Sequence, residues 1–369
     1  MKKCKLGECL SVKHGWAFKG EYFAETGTQS ILTPGNFYEA GGFKPNSGKE
    51  RYYTGEYPSE YLCKKGDLIV AMTQQAEGLL GSTALVPEDG KYLHNQRIGL
   101  ITCKDELLNP LFAYFLFMTK TVREQLERSS SGTKVKHTSP ERIYDVEVSI
   151  PDVISQKKIA RILMDIENKI NYNSRINDNL QQQMFTIYES MMANAAKGQI
   201  AGHYIKAVSI TEVITGKEDA NFASLDGEYK FFTCSNVPLR CNQPAFDLAS
   251  ILIAGNGDFN VKHYTGKFNA YQRTYVLTPP REYYALLYLA SLYRINSFKS
   301  ASAGSIVKFI TKGDVENIPL FIPDNKQYLD QLNSLVYMQE HISAENEKLV
   351  QMRDWLLPML MNGQATISD

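Results

Sequence analysis

The sequence predicts a mixed α/β (α+β) protein built twice: two globular domains, each closed by a long helix, with the two helices paired as an antiparallel coiled coil about a pseudo-twofold axis. Three observations predict it. Shifting the chain by 172 residues lays Gly132 to Asp152 over Gly304 to Asp324 without a gap. Each copy then runs into a helix whose apolar residues recur at four-three spacing. Finally, 369 residues exceed one average domain, and 43% hydrophobic against 22% charged residues is the balance of a packed protein rather than a disordered one.

The repeat sets the order of elements. Within the ungapped block, Gly132/Gly304, Val135/Val307, Lys136/Lys308 and the closing Ile-Pro-Asp triplets are identical, while Ile143/Val315, Val146/Ile318 and Val148/Leu320 are conservative. The same register places LFAYFLFM, within the apolar run at 107–118, over YYALLYLA. That run contains Asn109 and Pro110 and is about half of a bilayer span, so it reads as a buried helix. Upstream the spacing drifts by a few residues, yet GDLIVAM at 66–72 answers ASILIAG at 249–255 as an apolar strand. Likewise NQRIGLIT at 95–102 answers YQRTYVLT at 271–278. Four segments follow: domains at 1–152 and 198–323, helices at 153–197 and 324–369.

In the first helix the stripe is Ile159, Leu163, Ile166, Ile170, Leu180, Met184, Ile187 and Met191, with Asn173 and Asn177 in the two missing slots. The second gives Leu335, Met338, Ile342, Leu349, Met352, Leu356 and Met359, with Glu345 in the odd position. A single such stripe suits a helix packed on its own domain; two matched ones favour pairing with each other. Asn173, Asn177 and Glu345 then act as polar register markers, or else mark a stretch where the pair splays. Each helix opens after Ile-Pro-Asp, with Asp324 and Gln327 spaced as a capping box, and each ends in Gly-Gln. A helix of about 38 residues measures roughly 57 Å and works as a ruler.

Composition excludes several classes. The 40 basic and 40 acidic groups cancel, and residues 324–369 hold 3 basic against 7 acidic, so no global basic field advertises a partner. Six cysteines without a CxxC pair or a histidine at ligand spacing argue for reduced thiols in the cytoplasm and for no metal. LGEC near the start imitates a lipoprotein box, but no apolar run precedes it. No phosphate-binding Gly-Lys-Ser/Thr loop occurs, AGNGDF at 254–259 is a turn composition, and Asn109-Pro110-Leu111 lacks the second proline of an adenine methyltransferase motif. Asp152 and Glu167-Asn168-Lys169 imitate nuclease spacing, but they fall at and within the helix, where the carboxylates cannot converge on a metal.

Two divergent domains, each closed by Ile-Pro-Asp and a heptad helix ending in Gly-Gln, are together similar to the specificity subunit of type I restriction-modification enzymes. That resemblance covers the whole chain. It implies two target recognition domains, each reading one half of a split double-stranded DNA site, and no catalysis in this chain. It also implies helices that set the spacer and dock two modification (methyltransferase) subunits. S-adenosylmethionine belongs to those partners, and ATP and magnesium to restriction subunits, with no membrane partner. A coiled-coil adaptor without DNA contact and a stand-alone methyltransferase-type enzyme are the alternatives.

On this reading the two copies sort the candidate DNA-binding residues. Residues shared by both should support the fold or grip phosphate: Gln96-Arg97 with Gln272-Arg273, and Lys136 with Lys308. A buried hydrogen bond between strands is the competing explanation for the Gln-Arg pairs. The loop SSSGTKVKH at 129–137 adds Lys134 and His137 as phosphate contacts. Unrepeated polar loops are the base readers: Gln74, Gln75, His94 and Asn95 in the first domain, and Asn256, Asn260, Lys262 and His263 in the second.

Overall fold

A computed structural model describes residues 1–46, 48–132, 135–301 and 309–367, with 298–301 as backbone. The chain divides into two compact units, one of residues 1–170 with 348–369, the other of residues 171–347.

The first unit contains strands β1 (Lys2–Lys5), β2 (Leu10–His14), β3 (Phe23–Ala24), β4 (Ser30–Ile31), β5 (Tyr52–Tyr53), β6 (Leu68–Ala71), β7 (Thr83–Leu85), β8 (Tyr92–Leu93), β9 (Ile98–Cys103) and β10 (Glu147–Ile150). Its main sheet runs in the order β2-β9-β6-β7, antiparallel throughout, while β1 pairs with β10 and β3-β5-β4-β8 form a small side sheet. The second unit contains β11 (Gly202–Lys206), β12 (Val213–Thr215), β13 (Tyr229–Phe232), β14 (Leu239–Cys241), β15 (Phe246–Ala254), β16 (Val261–Ala270), β17 (Thr274–Leu277) and β18 (Pro319–Pro323). Its sheet runs β12-β17-β15-β16-β13-β14, and β11 pairs with β18. The first four strands repeat the order of the first unit, so β2, β9 and β6 correspond to β12, β17 and β15.

Burial explains why the central strands read as unbroken apolar runs. Leu68 and Val70 of β6 enter one cluster while Ile69 and Ala71 enter another on the opposite face. Ile251 and Ile253 of β15 are likewise separated from Leu252. The repeated block holds its register down to single hydrogen bonds: Leu6 N–H donates to the Val146 carbonyl and Ala207 N–H to that of Ile318, both at 2.9 Å. Ile143, Val146 and Val148 are buried, and so are Val315, Ile318 and Leu320. The aromatic helix Pro110–Leu116 starts on Asn109, whose side chain accepts from Phe112 N–H at 3.1 Å, and Phe112 to Leu116 are all buried. Its counterpart is the helix Tyr284–Ala301.

The two long helices span Val153–Ala196 and Gln327–Met361. Asp152 starts the first, its carboxylate accepting from Ser155 N–H at 3.0 Å and from the Ser155 hydroxyl at 2.7 Å. The second departs from the expected box: Asn325, not Asp324, accepts from Gln327 N–H, at 3.0 Å. Both helices end alike. Gly198 and Gly363 take φ of +69°, and the following glutamine N–H reaches back five residues, to Asn194 and Met359, at 2.9 Å each. That left-handed residue is what the Gly-Gln tails supply.

Within the second unit the helices run antiparallel. Asn173 donates to the Glu345 carboxylate at 2.7 Å, Asn177 to the Ser343 hydroxyl at 3.0 Å, and Gln339 to Gln181 at 3.2 Å. The three polar exceptions to the heptads therefore lie on the helix pair itself. Asn173 and Glu345 are repeat equivalents, as are Ser174 and Asn346, which bond at 3.3 Å. Equivalent residues meet face to face where a local twofold relates two helices. The expected second seam needs one correction: Met338 and Met352 are about half exposed. Gln339 and Arg353, one position later, take the inward places, because Gln181 and Glu167 offer them partners, the latter at 3.0 Å within the first unit. Among the described residues no helix is long and apolar enough to cross a membrane.

Candidate nucleic-acid interface

In the first unit three backbone segments converge beyond the end of β6. Met72 N–H donates to the Arg97 carbonyl at 3.0 Å, Thr138 N–H to that of Met72 at 2.9 Å, and Gln74 N–H to that of Lys136 at 2.9 Å. A fourth segment joins when Gln96 N–H donates to the Trp16 carbonyl at 3.1 Å. Gln96 and Arg97 form the two-residue turn before β9, both exposed, and Arg97 has no carboxylate within ion-pair distance among the described residues. Their side chains are thus not buried strand ties. Lys136 meets Glu127, and the exposed His137 lies 3.1 Å from the Thr73 hydroxyl through Nδ1.

The second unit builds the same junction. Gly255 N–H donates to the Arg273 carbonyl at 2.8 Å, Ile310 N–H to that of Gly255 at 2.8 Å, and Gln272 N–H to that of Glu218 at 2.9 Å. Ile310 stands 172 residues after Thr138, so these bonds repeat those of the first unit. Gln272 and Arg273 are again an exposed turn, here before β17. Each turn is crossed by a loop too close for a side chain: a Cβ on Gly15 would lie 2.1 Å from the Asn95 carbonyl oxygen, and one on Gly216 would lie 1.9 Å from that of Ala270.

Around the second turn, Asn260 donates to the Cys234 carbonyl at 2.8 Å and accepts from the Lys262 ammonium. Lys262 has no carboxylate partner among the described residues, and desolvation holds its pKa down at about 8. Asn256 sits half-buried at the β15–β16 turn. Thr233 and Ser235, whose hydroxyls are 3.0 Å apart, belong to the loop whose Cys234 reaches the Arg273 carbonyl. Sequence reading passed over that loop because it has no counterpart in the first half.

Two candidate base readers are corrected. His94 is only 1% exposed; its Nε2–H donates to the Ile98 carbonyl at 2.9 Å, and burial lowers its pKa to about 4, so it is a neutral core group. It lies two residues before the exposed turn, and the buried end of β8 carries it inward. His263 points the other way from Lys262, since neighbours on a strand face opposite sides. Its Nδ1 meets the Glu340 carboxylate and its Nε2 meets Gln339, each at 3.1 Å, on the second long helix. Asn95 is half-buried and accepts from Arg97 N–H at 3.2 Å, shaping the turn. Gln75 is exposed, whereas Gln74 is partly buried with Oε1 unpartnered among the described residues. Lys134 and Lys308 lie outside the described residues.

One side chain that organises this region was invisible in the sequence. The Arg123 guanidinium donates to the carbonyls of Phe117 at 2.6 Å, Gly78 and Leu80 at 2.9 Å, and Glu39 at 3.3 Å. Burial lowers its pKa to about 10. It fixes the loop that begins with Gln74 and Gln75.

Comparison with known proteins agrees with this architecture. Residues 1–182 match the family model described as type I restriction modification DNA specificity domain. The chain is 40% identical over 171 residues to the EcoDI type I restriction enzyme specificity subunit of Escherichia coli, an alignment covering 44% of this chain and 38% of that protein. It is 22% identical over 184 residues to the MjaVIII specificity subunit of Methanocaldococcus jannaschii, covering 48% and 42%. The chain thus matches under half the length of these curated relatives. The crystal structure of a type I restriction-modification system S subunit from M. genitalium shares the fold, with a TM-score of 0.63 at 16% identity over 100% of this chain and 96% of that one. Over residues 1–182 the chain is thus similar to the type I restriction modification DNA specificity domain family.

Proposed function

We propose that this chain is the DNA sequence-recognition subunit of a type I restriction-modification complex, located in the cytoplasm and itself non-catalytic. Residues 1–152 read one half of a bipartite double-stranded site and residues 198–323 the other. The helices at 153–197 and 324–369 set the spacer and dock two modification subunits, which bring S-adenosylmethionine; restriction subunits bring ATP and magnesium.

The observation that carries this reading is the duplicated junction in which an exposed Gln-Arg turn, the end of a central strand and the segment after a helix are joined by corresponding hydrogen bonds. Arg97 and Arg273, without carboxylate partners among the described residues, are free to meet phosphate, while the residues around them differ between the copies. Asn173 and Glu345, repeat equivalents in contact, support helices that hold a fixed register. Gln75, Lys136 and His137 complete the surface of the first unit and Asn256, Asn260 and Lys262 that of the second, with Lys134 and Lys308 retained as phosphate contacts from the sequence.

The test is base-resolved mapping of adenine methylation in cells with and without this chain, and with residues 1–152 exchanged for another recognition domain. One half of the modified sequence should change and the other persist. Methylation that does not depend on this chain would refute the reading, as would a change in both halves.

A further inference from the structure

The two junctions differ most usefully at one place. The carbonyl that accepts from the first amide of the Gln-Arg turn belongs to Trp16 in one unit and to Glu218 in the other, at 3.1 and 2.9 Å. Both residues also form an isolated parallel bridge beside the turn, Trp16 with Asn95 and Glu218 with Tyr271. They are therefore structural equivalents, although the sequences around them do not align. Trp16 is half-buried against Phe18 and Tyr61, with ring centroids 5.8 and 5.7 Å away. Glu218 is half-buried too, and its carboxylate has no hydrogen bond or ion pair among the described residues.

An unpaired carboxylate on the residue whose carbonyl anchors the Gln272-Arg273 turn is anomalous on a phosphate-facing surface, because it is repelled by every phosphate backbone it approaches. It becomes favourable only opposite a base-edge donor, and in the major groove the matching pair is a carboxylate accepting from the cytosine N4 amino group. It would also reject a base that presents an acceptor there, since two acceptors would face each other without a proton. We propose that Glu218 is a specificity-determining residue of the second unit, accepting a hydrogen bond from the exocyclic amino group of a cytosine in its half-site. Trp16 holds the equivalent place in the first unit, where the indole presents apolar ring surface, suited to a thymine methyl, and no acceptor for a cytosine amino group. This inference rests on the reading of both units as DNA readers.

The experiment uses the complete chain assembled with its modification subunits, selecting from a pool of duplexes randomised in both halves of the mapped site. Wild type should enrich cytosine at one position of the second half. Glu218→Gln, which keeps the shape but can donate as well as accept, should lose about tenfold or more of that preference. The first half should be unaffected, and non-specific affinity should be equal or higher because a negative charge is gone. Trp16→Ala should alter only the first half. The inference is overturned if Glu218→Gln leaves the second half unchanged, alters the first half, or abolishes binding altogether. Failure of the wild-type complex to enrich any sequence would instead overturn the reading of the chain as a DNA-recognition subunit.

Discussion

Replacing Lys262 by methionine should stabilise the protein while weakening its hold on DNA. In the fold the ammonium is desolvated, with the Asn260 side-chain oxygen as its partner and no carboxylate among the described residues, and its pKa falls from 10.5 to about 8. A depressed lysine pKa means that the folded state binds its proton more weakly than the unfolded chain does. The cost is therefore fully present below pH 8 and is relieved as pH rises from about 8 to 10.5. At about 1.4 kcal/mol per tenfold in proton affinity, complete sequestration would cost roughly 3 kcal/mol; partial exposure lowers this to about 1–2 kcal/mol. Methionine fills the channel of the lysine stem without the charge. In urea titrations, wild type should gain stability between pH 8 and 10, while Lys262→Met should start about 1–2 kcal/mol higher at pH 7 and show less of that gain. A bound phosphate restores the missing counter-charge, so DNA binding should take up a proton above pH 8 and wild-type affinity should fall through that range. The variant should lose that pH dependence and about one unit of the logarithmic salt slope. A variant less stable than wild type at pH 7, with the alkaline gain intact, would show that the ammonium is not held desolvated.

Three further outcomes follow from buried groups. His94, with its pKa lowered to about 4 by burial, confers stability that is complete above pH 6.5 and lost as pH falls toward 4. The loss should be about 1.4 kcal/mol per pH unit and should flatten in His94→Gln, measured by denaturation between pH 7 and 4.5. Arg123→Met leaves four carbonyls without their donor and should cost about 1–3 kcal/mol, with amide hydrogen exchange accelerating in residues 74–82 ahead of the β-sheet core; uniform acceleration would mean that the guanidinium does not hold that loop. Asn173→Leu alone should destabilise by about 1–3 kcal/mol, because Glu345 loses the amide it accepts from, whereas Asn173→Leu with Glu345→Leu should match or exceed wild type. If the two single changes simply add in a double-mutant cycle, the contact does not couple the helices.

What could be read in the sequence was whatever depends on periodicity or on duplication. The 172-residue shift located β10 and β18 and the start of each long helix, because apolar positions facing a core tolerate only conservative exchange, and the Gln-Arg turns followed from the same order of segments at a slightly longer spacing. The helix stripe was correct where packing is purely apolar and slipped by one residue where Gln339 and Arg353 displaced Met338 and Met352, since a polar side chain with a partner across the interface outcompetes a thioether for the inward place. His94 and His263 were misjudged for a related reason. Loop polarity says nothing about which way a side chain turns, and one residue along a strand reverses it. Arg123 could not have been found at all, because its partners are carbonyls, which every residue carries.

Duplication also limits what evolution could change in each half. The glycines at 15 and 216 cannot accept a Cβ, and the turn amides of Gln96 and Gln272 are committed to carbonyls of the crossing loop. A carbonyl is present whatever the side chain, so the residue that supplies it is held in place by its backbone while its side chain remains free to vary. That is the physical reason tryptophan and glutamate can occupy equivalent positions without disturbing the shared turn. On the proposed function, a chain that changes specificity one half at a time needs such positions: fixed in space by main-chain hydrogen bonds, yet chemically unconstrained. On the proposed function the same logic separates grip from readout in each unit, since Arg97 and Arg273 are kept in the two copies beside neighbours that are not.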